Sequence, residues 1–212
     1  MCFCAEASFI AGAGLAAVGV ATLQHTRQPS DRMVAAMPLA FGVHQFVEGI
    51  VWSTTPGEAP HLAAARLFAF LAYTAWPIYV PLAFYTYERD PKRRRRLLPL
   101  VALGTCAGLY FLVLMIQDPV EPRILSGSLQ YRFRDPFVYP SHIAYGIPVM
   151  LAPALSRDVL FKAFGASLLV AYLVAYYGWF RTHPSVWCYF AAVLSALIYL
   201  QLRSRRGEPC PP

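Results

Sequence analysis

Seven apolar runs, each near 20 residues long and separated by short polar stretches, constrain this chain more than any other feature. They cover residues 8–23, 33–52, 62–87, 97–117, 140–155, 159–180 and 185–202. A hydrocarbon layer about 30 Å thick is crossed by about 20 helical residues. Inside it a helix is favoured because it satisfies its own backbone amides. The predicted fold is therefore all-α, a seven-transmembrane-helix bundle forming one integral membrane domain over residues 1–212. Composition agrees: 58% of residues are hydrophobic and 14% charged, whereas soluble domains are about half apolar and a quarter charged. Pro77 and Pro81 in the third run, and Pro148 and Pro153 in the fifth, predict kinks.

The net charge of +7 raises the question of nucleic acid, but the basic residues fall in short clusters between apolar runs rather than on one face. Membrane topology accounts for them, and no nucleic-acid partner is expected. Arg27, Arg32, Arg89, Lys92, Arg93, Arg94, Arg95, Arg96, Arg157, Lys162, Arg203, Arg205 and Arg206 all fall on one side if the runs alternate in direction. Only Arg66, Arg123, Arg132, Arg134 and Arg181 fall on the other. Cytoplasmic loops carry the excess of Lys and Arg, so the N-terminus is predicted outside and the C-terminus inside a cell membrane. RDPKRRRR is the strongest single marker; it is read as a stop signal, with anionic lipid heads as a further partner. The start MCFCAEASF has no basic leader, so the first run is expected to serve as an uncleaved anchor. The one long connection, residues 118–139, is an outer loop of mixed charge and aromatics, expected to be a lid, a partner surface or a spacer.

Polar residues inside the second run point to function. In FGVHQFVEGIVW, His44 lies about 18 Å up the helix from Arg32 and Glu48 about 6 Å higher. A spacing of four puts both on one face. Facing lipid would be costly, so both are expected to turn inward toward a partner, a cavity or an ion. One reading makes them a metal or proton-transfer pair. The other has them hydrogen-bonded to each other and to Tyr or Ser of neighbouring helices, holding the bundle together.

Other donors gather at the same depth. Cys2, Cys4 and Glu6 precede the first run, His142 opens the fifth, and His183 and Cys188 open the seventh. His44, Glu48, Cys2, His142, His183 and Cys188 are thus the candidate metal ligands, contributed by separate helices as is usual in bundles. Imidazole with thiolate suits zinc, copper or iron. His25 and His61 lie in loops and are read as structural. The five cysteines do not form a disulfide framework, although Cys2 or Cys4 is placed to pair with Cys188. Cys2 would offer amine and thiol together if the initiator Met were removed.

MCFCAEASF, GVHQFVEGIVW and SVWCYFAAVLSALIY together resemble an uncharacterised family of bacterial multi-pass membrane proteins that begin MCFSAxASF. The resemblance spans essentially the whole chain and implies a membrane bundle without an assigned activity. Cys4 stands where that family has Ser, which favours Cys2 over Cys4 as a functional thiol. Two other seven-span classes do not fit. Retinal proteins need a lysine in the last span, but the only lysines are Lys92 and Lys162 at loops. Ceramidase- and progestin-receptor-type hydrolases carry two histidines four apart on the last helix, where this chain has His183 followed by Cys188.

The function expected from sequence is binding of a metal ion or a lipophilic small molecule in a cavity of the outer half, lined by His44 and Glu48 with Trp76, Tyr145 and Trp187 near. The alternatives are a metal-dependent hydrolase or oxidoreductase acting on a lipid, with Glu48 as general base, and a structural subunit of a membrane complex. Alkaline phosphatase fused within residues 118–139 is expected to be active and a fusion just after Arg96 inactive. The reverse pattern would overturn the assigned orientation.

Overall fold

A computed structural model describes residues 4–125 and 127–205. Among the described residues nine α-helices form seven rods: α1 (Ala5–Leu23), α2 (Arg32–Ser53), α3 (Ala59–Ala69) continued by α4 (Trp76–Tyr87), α5 (Pro91–Gln117), α6 (Val138–Ala154), α7 (Val159–Gly178), and α8 (His183–Leu194) continued by α9 (Ala196–Ser204). Among the described residues six stretches are long and apolar enough to cross a membrane: Ala5–Leu23, Pro29–Ser53, Ala59–Tyr87, Pro91–Gln117, Val159–Gly178 and His183–Ser204. These are the dimensions of a multi-pass membrane protein. The fifth expected run, α6, has 17 residues, which at 1.5 Å each falls short of a full crossing. Ile10 (73% exposed) and Val170 (60%) are among many large apolar side chains on the outer surface, an arrangement suited to hydrocarbon.

The sequence expectation of an all-α chain needs one correction. Within the expected loop 118–139, β1 (Glu121–Leu125) pairs antiparallel with β2 (Ser128–Arg132), and Gly127 at the turn has φ +74°, a left-handed conformation that glycine adopts at little cost. The hairpin is part of the fold because Leu129 and Tyr131 are buried and Tyr131 stacks on Phe68 of α3, ring centroids 4.2 Å apart. Two buried aromatics anchor a strand that polar periodicity alone does not reveal.

The third rod deforms ahead of its prolines. Pro77 has no N–H to give the Tyr73 carbonyl, and the turn before it, Phe70–Ala75, widens into a π-helix. α5 begins with Pro91 after Asp90, whose carboxylate accepts the Lys92 amide at 2.8 Å. The arginine run therefore forms the first turns of a helix rather than a loop. At this arginine end Tyr87 donates to Asp158 at 2.8 Å, Arg205 lies 3.7 Å from the same carboxylate, and Arg89 lies 3.9 Å from Asp31.

α2 packs on α1, α4 and α8, while α5, α6 and α7 close the other side. The α4–α5 contact depends on Gly104 and Gly108. A methyl at Gly104 would collide with the Pro77 carbonyl, and one at Gly108 would come within 2.7 Å of the Thr74 carbonyl. Gly104→Ala is expected to lower the stability of the detergent-purified protein by about 1–3 kcal/mol, read as a fall in melting temperature. Gly14→Ala, with nothing within 4 Å, should be neutral; equal effects would show that the close approach of α5 to the widened turn is not what Gly104 serves.

Candidate functional site

His44 and Glu48 both turn inward, at 0% and 2% exposure, but each faces a different helix. The indole N–H of Trp76 on α4 donates to His44 Nδ1 at 2.9 Å. The hydroxyl of Ser185 on α8 donates to Glu48 Oε1 in a short hydrogen bond. Phe41 stacks on Trp76 at 3.8 Å and Phe68 lies against His44 at 4.2 Å between ring centroids. The i,i+4 spacing thus puts two groups on one face while their side chains tie α2 to two neighbours. Their hydrogen bonds run to neighbouring helices, through Trp and Ser, and not to each other.

The Trp76 bond fixes the chemistry of His44. An indole N–H only donates, so Nδ1 accepts and a neutral ring carries its proton on Nε2. A metal-bound imidazole usually has the opposite arrangement, donating its second N–H to a carbonyl or carboxylate. Among the described residues no hydrogen-bond partner lies within bonding distance of either amide atom of Gln45, one residue after His44 and fully buried.

The remaining sequence candidates meet elsewhere, at the hairpin end. His142 of α6 and His183 of α8 bring their ring centroids to 5.3 Å. They line a vestibule of about 880 Å³ with Tyr73, Tyr131, Tyr172 and Tyr176, and Arg132, Arg134 and Arg181 also line it. The widened turn of the third rod carries Tyr73 into this wall and presents the Ala72 carbonyl to the Tyr145 hydroxyl at 2.8 Å. Asp135 pins the exit of the hairpin by accepting from Tyr110 at 2.7 Å, the Phe137 amide at 2.9 Å and Ser141 at 2.5 Å. Burial pushes the Tyr131 phenol well above its ordinary pKa.

Two small spaces of about 20 Å³ adjoin the vestibule, each about the room of one water. The first shares Tyr73, His142, Tyr172 and His183 with the vestibule and reaches Trp187 and Cys188. The second is lined by Trp76, Tyr145, Trp187 and Cys188 with aliphatic residues. The three aromatics expected around His44 and Glu48 therefore surround this lower space. Neither His44 nor Glu48 lines the vestibule or the two spaces.

Residues 1–211 match a family of unknown function, DUF6629. The chain belongs to that family. Searches of curated proteins and of solved structures returned no match.

For this DUF6629 member, the six proposed ligands fall into distinct groups. Cys2 lies outside the described residues. His44 bonds to Trp76 and Glu48 to Ser185, while His142 and His183 share the vestibule. Cys188 is a buried free thiol, and Cys4 is also free, so the pairing of Cys4 with Cys188 allowed by sequence is not formed. Among the described residues no three His, Cys, Asp or Glu side chains converge as a metal site. Sequence reading missed Tyr73, Tyr131, Tyr172 and Tyr176; the alternation of aromatic and basic residues in QYRFRDPFVYP was the available signal for the part contributed by the hairpin.

Ser185→Ala leaves a buried carboxyl without its donor and is expected to cost about 1–3 kcal/mol, as is Trp76→Phe for His44. Because the bonds are separate, the double variant should be additive in thermal unfolding. An interaction energy beyond about 0.5 kcal/mol would show that the four groups form one network.

Proposed function

We propose that this DUF6629 protein is a seven-span protein of the cell membrane, with α6 as the short seventh span and the hairpin end outside. In this reading it binds a lipophilic small molecule in the vestibule. The observation that carries it is the aromatic cavity of about 880 Å³, continued toward Trp187 by two small spaces. That volume falls in the range of small-molecule sites, about 300–1,000 Å³. Tyrosines supply apolar faces and hydroxyls together, which suits a ligand that is apolar along most of its length.

The approach of His142 to His183 favours a second reading, an ion held by two imidazoles with the remaining positions open to ligand or water. A hydrolytic role with Glu48 as general base lacks comparable support, since Glu48 lies off the vestibule. His44 and Glu48 act in this proposal as the ties between α2 and its neighbours.

Photolabelling with a diazirine-bearing dodecanol tests the leading reading. Labelling of the segment from Tyr172 to His183 should saturate and be competed by unlabelled dodecanol. Labelling at the outward-facing Ile10 and Leu109 should rise without saturating. Vestibule labelling that resists competition would overturn the proposal.

A further inference from the structure

The rim of the vestibule carries information about the head group of its occupant. Resting on the vestibule reading above, we propose that the ligand is an anionic amphiphile. Its carboxylate or phosphate head lies against Arg132, Arg134 and Arg181, and its tail points past His142 and His183 toward Trp187.

Three guanidinium groups line the cavity, and none has a carboxylate within ion-pair distance among the described residues. The two acids in the same wall are engaged elsewhere. Asp118 accepts the Arg134 backbone amide at 2.5 Å, and Asp135 accepts from Tyr110, Phe137 and Ser141. Three guanidinium groups against two carboxylates leave the wall with a net positive charge, and the planar fork of arginine matches carboxylate and phosphate oxygens in a bidentate manner. The three arginines are exposed, so an anionic head replaces water on them with charge-assisted bonds, whereas a neutral or cationic head gains no such bond there.

The rim is assembled from two distant chain segments. Arg132 and Arg134 end and follow β2, whereas Arg181 lies between α7 and α8. The Gln130 side chain donates to the Arg181 carbonyl at 3.2 Å and joins the two. Below the rim the lining turns aromatic at Tyr73, Tyr172 and Tyr176, and below His142 and His183 it becomes the small spaces beside Tyr145 and Trp187. The order from cationic to aromatic to apolar follows the order of groups along an amphiphile. Because the lower spaces hold only about 20 Å³ each, a tail enters by moving the side chains between them, with the two histidines as the first barrier.

The test uses the full chain purified in dodecyl maltoside and three probes of equal length: ω-bromododecanoate, ω-bromododecanol and ω-bromododecyltrimethylammonium. Bromine at the chain end quenches tryptophan on contact, so saturable quenching that Trp187→Phe removes reports the tail in place. The carboxylate is expected to bind at least about tenfold more tightly than either other head, less so at high salt. The preference should vanish in the R132Q/R134Q/R181Q variant and persist in the triple lysine variant. Equal affinity for the three heads, or an unchanged preference in the glutamine variant, would overturn the proposal.

The same titrations separate it from the reading beneath it. If the alcohol quenches saturably with no advantage for the carboxylate, the vestibule remains a lipophilic site and only the anionic assignment falls. If no probe quenches saturably, both fall. Repeating the carboxylate titration in phosphatidylcholine nanodiscs with and without phosphatidylglycerol distinguishes the source of the head. Competition by phosphatidylglycerol assigns it to a bilayer lipid and undiminished binding to a free amphiphile, and either supports the anionic head.

Discussion

The bundle depends on a solvent that cannot hydrogen-bond. Once α2 places His44, Gln45 and Glu48 where hydrocarbon is expected, partners must come from other helices. Trp76 and Ser185 supply two of them. Each bond carries a directional requirement, so together they constrain the rotation of α2 relative to α4 and α8 more strictly than apolar packing does. Lipid tails are as apolar as leucine, and contacts between helices in a membrane therefore rely on close backbone approach and on polar bonds of this kind.

The second constraint is the widened turn Phe70–Ala75. Prolines that break a helix in water are tolerated here because neighbours take up the freed backbone groups. One such group, the Ala72 carbonyl, receives Tyr145, and α5 comes close to the carbonyls of Thr74 and Pro77 through Gly108 and Gly104. The same deformation puts Tyr73 into the vestibule wall. A local backbone rule thereby reaches the site. A proline without an N–H widens the preceding turn, and the widened turn positions a lining side chain. π-Turns often occur at functional positions, and this one contributes Tyr73 to the cavity wall.

Much of the architecture was legible in the chain. Apolar run lengths gave the rods, and a buried imidazole and carboxylate four residues apart were bound to face inward. The site was less legible. The face that sequence marked as most functional makes its bonds within the core, whereas His142 and His183, ordinary as helix-opening residues, meet at the vestibule. Depth along a helix can be counted from sequence, but azimuth and neighbour cannot. The hairpin was hidden for a related reason: its inward residues Leu129 and Tyr131 are explained by Phe68, some 60 positions earlier.

Sequence by itself determined that the chain is built of membrane-length helices with two ionisable groups turned from lipid, because hydrocarbon thickness and the cost of exposed charge act on each segment alone. Only the tertiary structure decided that those groups bond to Trp76 and Ser185 instead of to each other, and that two distant histidines, six tyrosines and three arginines line one cavity. Such convergence depends on helix rotation and order, which arise from contacts between segments and are written in none of them separately.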